Sequence, residues 1–282
     1  MVTCPNVRKD VIRFHYDLST LFYRLFWGEH IHHGLWSGDE SPKSAQLNLT
    51  NTMASSIGIQ RNDLVLDVGC GMGGSSMHLA RTIGCDVTGL TLSPVQARWA
   101  KATALLRGLR STTHFSCQDA ETAEFDDESF DVLWSIECTE HLFDKPAFLQ
   151  QATRWLKPGG RVVICAWLDG DVQDNPAATQ QVYDVCEGFF CPSLGSFADY
   201  SQWMTDAGLE VVSTHDWTER VDRTWEICMK RVERTGVRWL ARILDQDTVM
   251  FLDRFQTLLD AYRSGAMRYG CFVASKPRQV AA

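Results

Sequence analysis

Short aliphatic runs recur along this chain with enough residues between them for a helix each. Runs of that kind, bounded by turn residues, predict buried strands. Their alternation with helical spacing predicts a parallel sheet wrapped by helices. The predicted strands are Leu64 to Val68, Asp86 to Thr91, Thr113 to Cys117, Phe130 to Ser135, Arg161 to Trp167, Glu210 to Thr214 and Tyr269 to Ala274. Seven strands make a full doubly wound α/β sheet. Helical spacing lies between them at Ser75 to Ile83, Pro94 to Leu106, Lys145 to Leu156 and Ser196 to Ala207. Ser93 before Pro94 reads as an N-cap followed by a first-turn proline, and Lys157-Pro158-Gly159-Gly160 stops one helix and starts a strand.

Three stretches escape this alternation: residues 1–60, 169–192 and 217–266. All are rich in apolar and aromatic residues, which predicts packed additions rather than linkers. The chain therefore divides into an N-terminal helical cap segment (1–60), a ligand-binding core (61–168) and a remainder (169–282). That remainder completes the sheet and carries an inserted helical lid at about 170–192 and 218–266.

Composition narrows the class. Of the 282 residues 45% are hydrophobic and 22% charged, as in an ordinary globular protein, and the length suffices for a sizeable core. A net charge of −8 without a cluster of Lys and Arg argues against a nucleic-acid partner. Met1 to Asn6 lacks a basic stretch leading into an apolar one, and no segment reaches the roughly 18 apolar residues of a membrane span. The expectation is a cytoplasmic protein with no membrane insertion, for which an oligomeric assembly stays open. Ten scattered cysteines, without a C-x-x-C pair, read as free thiols in a reducing compartment, and no metal site is expected.

The chemistry concentrates after the first predicted strand. Leu64 to Val68 empties into Gly69-Cys70-Gly71-Met72-Gly73-Gly74, with Asp67 two residues before the first glycine. Such a strand-to-helix turn leaves backbone bare for a nucleotide-type ligand. The glycines alone do not choose the nucleotide, because Gly74 also completes G-x-G-x-x-G. Three further features accompany the loop. It sits near residue 67 rather than at the chain start, Gln118-Asp119-Ala120 follows the third strand, and Leu156-Lys157-Pro158-Gly159-Gly160 precedes the fifth.

This ordered set resembles the class I S-adenosylmethionine-dependent methyltransferases over roughly residues 60 to 170, with weaker agreement to the end. The resemblance implies a Rossmann-like sheet whose last strand is antiparallel. It also implies S-adenosylmethionine as cofactor, with S-adenosylhomocysteine as product. Carried onto this chain, it puts Asp67, Gly69, Gly71 and Gly73 under the methionine part of the cofactor, and Gln118, Asp119 and Ala120 at the adenine. The second strand lacks the usual terminal acid for the ribose. It reads Gly89-Leu90-Thr91-Leu92-Ser93-Pro94-Val95-Gln96, and this looks like a branch containing tocopherol and sterol C-methyltransferases, alkaloid N-methyltransferases and bacterial enzymes of secondary metabolism. Thr91, Leu92 and Gln96 take the ribose side by that resemblance. His15-Tyr16-Asp17-Leu18 and Phe26 to Trp36 are similar to N-terminal blocks of the same branch, in which the tyrosine closes over the methionine end; an aromatic face suits a sulfonium. Tyr16 is the candidate here.

Methyl transfer from a sulfonium is an in-line displacement, so alignment and exclusion of water dominate, with a base needed where the acceptor loses a proton. Ligands bind beyond the carboxyl ends of parallel strands, and after the fourth strand the chain reads Glu137-Cys138-Thr139-Glu140-His141. His141 is the first candidate base, with Glu140 or Glu137 orienting it or shaping the cofactor pocket. His30, His32 and His33 come next, His33 among the catalytic candidates. The lid supplies Tyr183, Phe189, Phe190, Trp225, Trp239, Phe251 and Phe255, which suits a hydrophobic or aromatic small molecule. Arg231, Arg234, Arg238 and Arg242 form a basic stripe on the same helices, read as a solvated face or a seat for an acidic acceptor. The expected reaction is C-methylation of an electron-rich phenolic, indole or prenylated ring, with O- or N-methylation open. The rivals are a nicotinamide-dependent oxidoreductase, disfavoured by the missing strand-end acid, and a degenerate binding subunit.

Overall fold

The computed structural model describes residues 1–235 and 246–278, apart from the side chains of residues 22, 23, 25, 26, 235 and 246–253. The chain opens with β1 (Val2–Thr3), α1 (Lys9–Phe26) and α2 (Pro42–Ser56). The alternating core follows as β2 (Leu64–Val68), α3 (Gly74–Thr82), β3 (Asp86–Thr91), α4 (Pro94–Leu106), β4 (Thr113–Cys117) and β5 (Phe130–Ile136). A 3₁₀ turn at Thr139–His141 leads to α5 (Lys145–Trp155) and β6 (Leu156–Asp169). Beyond it come α6 (Pro176–Phe189), β7 (Ser193–Leu194), α7 (Phe197–Asp206), β8 (Glu210–Asp216), α8 (Thr218–Val221), α9 (Arg223–Thr235), α10 (Gln246–Ser264) and β9 (Met267–Ser275). Of the lid residues named above, Arg238, Trp239 and Arg242 lie outside the described residues, as does the Phe251 side chain.

Seven strands form one sheet in the order β4-β3-β2-β5-β6-β9-β8. β2 to β6 are parallel, and β9 runs antiparallel between β6 and β8. This is the doubly wound α/β fold, with the expected antiparallel last strand. Side chains alternate across it: Val65 and Trp134 join one core with α2, α3 and the lid, while Leu66 and Leu133 join the other with α5 and α7. The helices start where short polar side chains can hold the first free N–H groups. Ser93 accepts from Gln96 N ahead of Pro94, Asp144 caps α5, and Ser196 with Asp199 makes a capping box for α7.

One boundary departs from expectation. Lys157-Pro158-Gly159-Gly160 already belongs to β6, because Gly159 N donates to Lys276 O (3.0 Å) and Gly160 O accepts from Lys276 N (2.8 Å) beyond the end of β9. A partner distant in sequence converts a turn-like tetrapeptide into a strand start.

Strand order reverses at β2, whose neighbours are β3 on one side and β5 on the other. At that switch point the loops after β2 and β5 diverge and leave a crevice at their carboxyl ends. α1 crosses this end of the sheet. The lid stands beside it, with α10 packed on α6 and α9.

Candidate active site

Two adjoining cavities open at the switch point. The larger encloses about 780 Å³ including its mouth and runs from the glycine loop to the ends of β3 and β4. Gly69, Gly71, Thr91, Leu92, Gln96, Gln118, Asp119, Ala120, Glu137 and Tyr16 all reach its wall. Gly71 holds φ +53°, a left-handed conformation at which a side chain would be strained. Thr91 Oγ1 donates to Gln96 Oε1 at 2.9 Å, which fixes the amide; Gln96 Nε2, though buried, has no partner. An unused amide donor at a cavity wall is a ready site for a ligand hydroxyl. Asp119 accepts Glu121 N through Oδ1 (3.0 Å) and Lys9 Nζ through Oδ2 (2.6 Å).

Asp67 and Gly73 stand behind this wall rather than on it. Asp67 is 3% exposed and accepts a hydrogen bond from Ser76 Oγ; burial pushes its carboxyl up to about 7, and the Ser76 bond opposes this only in part. A Cβ at Gly73 would come within 2.6 Å of the Phe115 ring, so this glycine serves close helix-to-strand packing.

α1 is pinned over the crevice at three points. Lys9 Nζ bridges Asp119 Oδ2 and Glu121 Oε2 at 2.6 Å each, Ser93 Oγ donates to Asp17 Oδ1 at 2.5 Å, and Tyr16 OH lies 2.8 Å from His141 Nε2. Sequence reasoning passed over Lys9, because a lone lysine at a helix start carries no signal until the fold puts it above two carboxylates.

The smaller cavity is lined by Trp27, Trp167, Phe189 and Trp225 together with His15, Glu140 and Cys191. It shares Tyr16, Ile31, Glu137 and His141 with the larger one, so those four residues form the junction. The aromatic rings pack edge to face, with centroids 5.2 Å apart for Trp27 and Trp225 and 5.3 Å for Phe189 and Trp225. Trp27 and Trp167, absent from the predicted lid, complete this box. Of the predicted basic stripe, the described Arg231 and Arg234 do not line it.

His141 is held from both sides. Its Nδ1 lies 3.1 Å from Phe190 O, which can only accept, so Nδ1 carries the proton and Nε2 is left as an acceptor towards Tyr16 OH. Phe190 itself adopts φ +59° to present that carbonyl. Burial lowers the His141 pKa to about 4, with the Phe190 bond opposing, so the ring is neutral at ordinary pH. Glu140 is 2% exposed; Oε1 accepts from Trp167 N at 2.5 Å while Oε2 has no partner, and burial pushes its carboxyl up to about 8. Glu137 also sits at positive φ, +50°, and its Oε1 accepts from His33 N and from Tyr269 OH, both at 2.8 Å. Burial raises its pKa, but the interactions with His33, among them the bond from its backbone N–H, outweigh that, and the net shift is downward.

The N-terminal histidines do not enter either cavity. His33 is fully buried: Trp225 Nε1 donates to its Nε2 at 2.5 Å, and its Nδ1 lies 2.9 Å from Glu137 Oε2, off the line of a hydrogen bond. Its Nε2 accepts from Trp225 within the buried core, and unlike His141 the ring lines neither cavity. The expectation of His33 as a base is therefore replaced by a role in propping Glu137 and Trp225. His30 and His32 contact each other and Ser75 Oγ at 3.3 Å beneath the start of α3. Among the described residues no group of three or more His, Cys, Asp or Glu could hold a metal ion.

The glycine loop and the segment Glu137 to His141 after β5 thus face one crevice on this sheet. The mycolic acid cyclopropane synthetase family model matches residues 5–267. The chain belongs to that family. Among curated relatives of this mycolic acid cyclopropane synthetase family member, the chloroplastic tocopherol O-methyltransferase of Arabidopsis thaliana is 30% identical over 96% of this chain and 83% of its own length. Norajmaline N-methyltransferase of Rauvolfia serpentina is 28% identical over 74% of this chain and 76% of its own. In three dimensions the fold matches mycolic acid cyclopropane synthase CmaA1, solved with S-adenosylhomocysteine, at TM-score 0.86 and 19% identity, covering 95% of this chain and 98% of that one. The protein is an S-adenosylmethionine-dependent methyltransferase of small molecules.

Proposed function

We propose that this enzyme methylates a carbon of an electron-rich aromatic small molecule seated in the aromatic cavity, with His141 taking the proton released. One observation carries the reading: the aromatic cavity meets the larger cavity at a junction where a neutral imidazole sits. Bound in the larger cavity, S-adenosylmethionine supplies an electrophilic sulfonium methyl group. Gln96 and Thr91 would hold its ribose, Asp119 with Gln118 and Ala120 its adenine, and Gly69 and Gly71 its methionine part. The orphaned Gln96 amide and the open backbone at Gly71 support that fit. Tyr16 presents its ring at the junction, where an aromatic face attracts a desolvated cation.

The chain's own contribution is alignment and a dry setting. Trp27, Phe189 and Trp225 exclude water from the acceptor, and Glu137 with its buried partners holds the junction rigid. In C-methylation the acceptor's ring carbon would form its bond to the methyl carbon as the methyl–sulfur bond breaks, the electron pair staying on the sulfur of the departing S-adenosylhomocysteine. The ring carbon would then lose its hydrogen as a proton, which Nε2 of His141 would accept once Tyr16 OH gives way. Methylation at oxygen or nitrogen would use the same cavity and base, and the names of the two curated relatives favour keeping it as the second reading. A cytoplasmic setting fits the ten free cysteines, and no described helix is long and apolar enough to cross a membrane.

The test is to incubate the enzyme with isotopically labelled S-adenosylmethionine and a panel of hydroquinones, phenols, indoles and aliphatic amines, and to locate the label by NMR. A ring C–CH₃ signal is expected; label on oxygen or nitrogen would favour the second reading, and transfer only to aliphatic acceptors would remove the aromatic one. Gln96→Leu should weaken S-adenosylhomocysteine binding about tenfold, the equivalent of one good hydrogen bond. Calorimetry showing unchanged affinity would take Gln96 out of the cofactor site.

A further inference from the structure

Two of the residues that line the aromatic cavity each carry a buried polar atom with no partner in the protein: Glu140 Oε2 and Trp167 Nε1. Both residues are more than nine-tenths buried, at 2% and 8% exposure. We propose that Glu140 and Trp167 form a hydroxyl-recognition subsite, which selects acceptors carrying a phenolic or alcoholic oxygen and seats that oxygen between carboxyl and indole N–H. The proposal rests on the reading of this cavity as the acceptor site.

The two atoms define what they can take. An indole N–H only donates, so the ligand group must offer a lone pair, which excludes an ammonium and the N–H of an indole. The carboxyl oxygen needs a partner that can donate or accept. A hydroxyl does both at one oxygen. Leaving a buried polar atom unpaired is costly, so a site with two of them discriminates strongly against a ligand that pairs neither. The subsite is also rigid. Trp167 N holds Glu140 Oε1 at 2.5 Å, and the preceding residue is anchored through Thr139 Oγ1 and Tyr200 OH at 2.6 Å, which fixes the direction of Oε2. The surrounding wall of Trp27, Phe189 and Trp225 accommodates the flat apolar body that carries the hydroxyl.

The full chain, saturated with S-adenosylhomocysteine, is titrated with p-cresol, its isostere p-xylene, and benzylamine by ligand-observed NMR. At about pH 6.5, where burial keeps the Glu140 carboxyl uncharged, p-cresol should bind about tenfold more tightly than p-xylene, with benzylamine no better than p-xylene. Trp167→Phe keeps a ring and drops the N–H; it should cut the preference for p-cresol over p-xylene to within about twofold while S-adenosylhomocysteine affinity holds. A second variant, Glu140→Gln, keeps an oxygen for Trp167 N. The wild-type cresol preference should rise severalfold between about pH 6.5 and about pH 9 and stay flat in this variant. Equal binding of p-cresol and p-xylene, tighter binding of benzylamine, or a preference untouched by Trp167→Phe would each overturn the subsite alone. Failure of every probe to bind would instead sink the acceptor cavity, and the subsite with it.

Discussion

Replacing His141 by Ala should lower the methyl-transfer rate by about a hundredfold or more, while affinity for S-adenosylhomocysteine stays within about threefold. The effect follows from the tautomer. Phe190 O fixes the proton on Nδ1, so Nε2 turns its lone pair to the junction, where Tyr16 OH donates to it and must give way before it takes a substrate proton. A base there matters only where the acceptor loses a proton, and an aromatic C–H or a phenol does. The pH dependence has a definite sign. Burial lowers the His141 pKa to about 4, so the neutral, proton-accepting form persists on the alkaline side of that value and disappears as pH falls through it. The pH–rate profile should therefore show no limb near the ordinary histidine value of about 6.5. Steady-state rates across that range, with binding measured separately, provide the check. Turnover unchanged in the Ala variant would leave the enzyme with no base at position 141.

Glu137→Ala should be the most damaging change to stability at the site, lowering it by about 3–5 kcal/mol. Its carboxylate receives His33 N and Tyr269 OH and lies beside His33 Nδ1, all within the protein. Truncation strands those groups in a buried setting, which is costlier than losing a surface pair. For a chain of this size the melting temperature should fall on the order of 10 °C. The net lowering of the Glu137 pKa sets the linkage: its stabilising contribution is present above the unfolded value of 4.5 and lost as pH falls below it through the folded value. The gap in melting temperature between wild type and variant should accordingly narrow in acid. A constant gap would mean that packing rather than charge holds this residue. Relief of the positive φ should make Glu137→Gly no worse than Glu137→Ala.

Much of the sheet was legible because its signals are local. Leu64 to Val68 is bounded by polar turns, and Ser93-Pro94 caps its own helix; neither needs a distant partner to be recognised. The turn after β3 is local in the same way, since Thr91, Ser93 and Gln96 fall within six residues and bond one another. His33 misled because three histidines in four positions look like available chemistry. Only Trp225, 192 positions later, occupies its ring nitrogen.

Order along the chain thus dictated the doubly wound sheet, the glycine turn after β2 and the carboxylate-histidine segment after β5, because strand hydrophobicity, turn chemistry and capping act over a few residues. Packing between remote segments dictated the rest. It assigned Gly71 to a cavity wall and Gly73 to a Phe115 contact, lowered Lys9 onto Asp119, and turned Phe190 so that its carbonyl sets the tautomer of His141. The polarity of a buried atom, its pKa and its freedom to meet a ligand depend on the groups that surround it. Those groups come from α1, the lid and β9, which lie far apart in the chain.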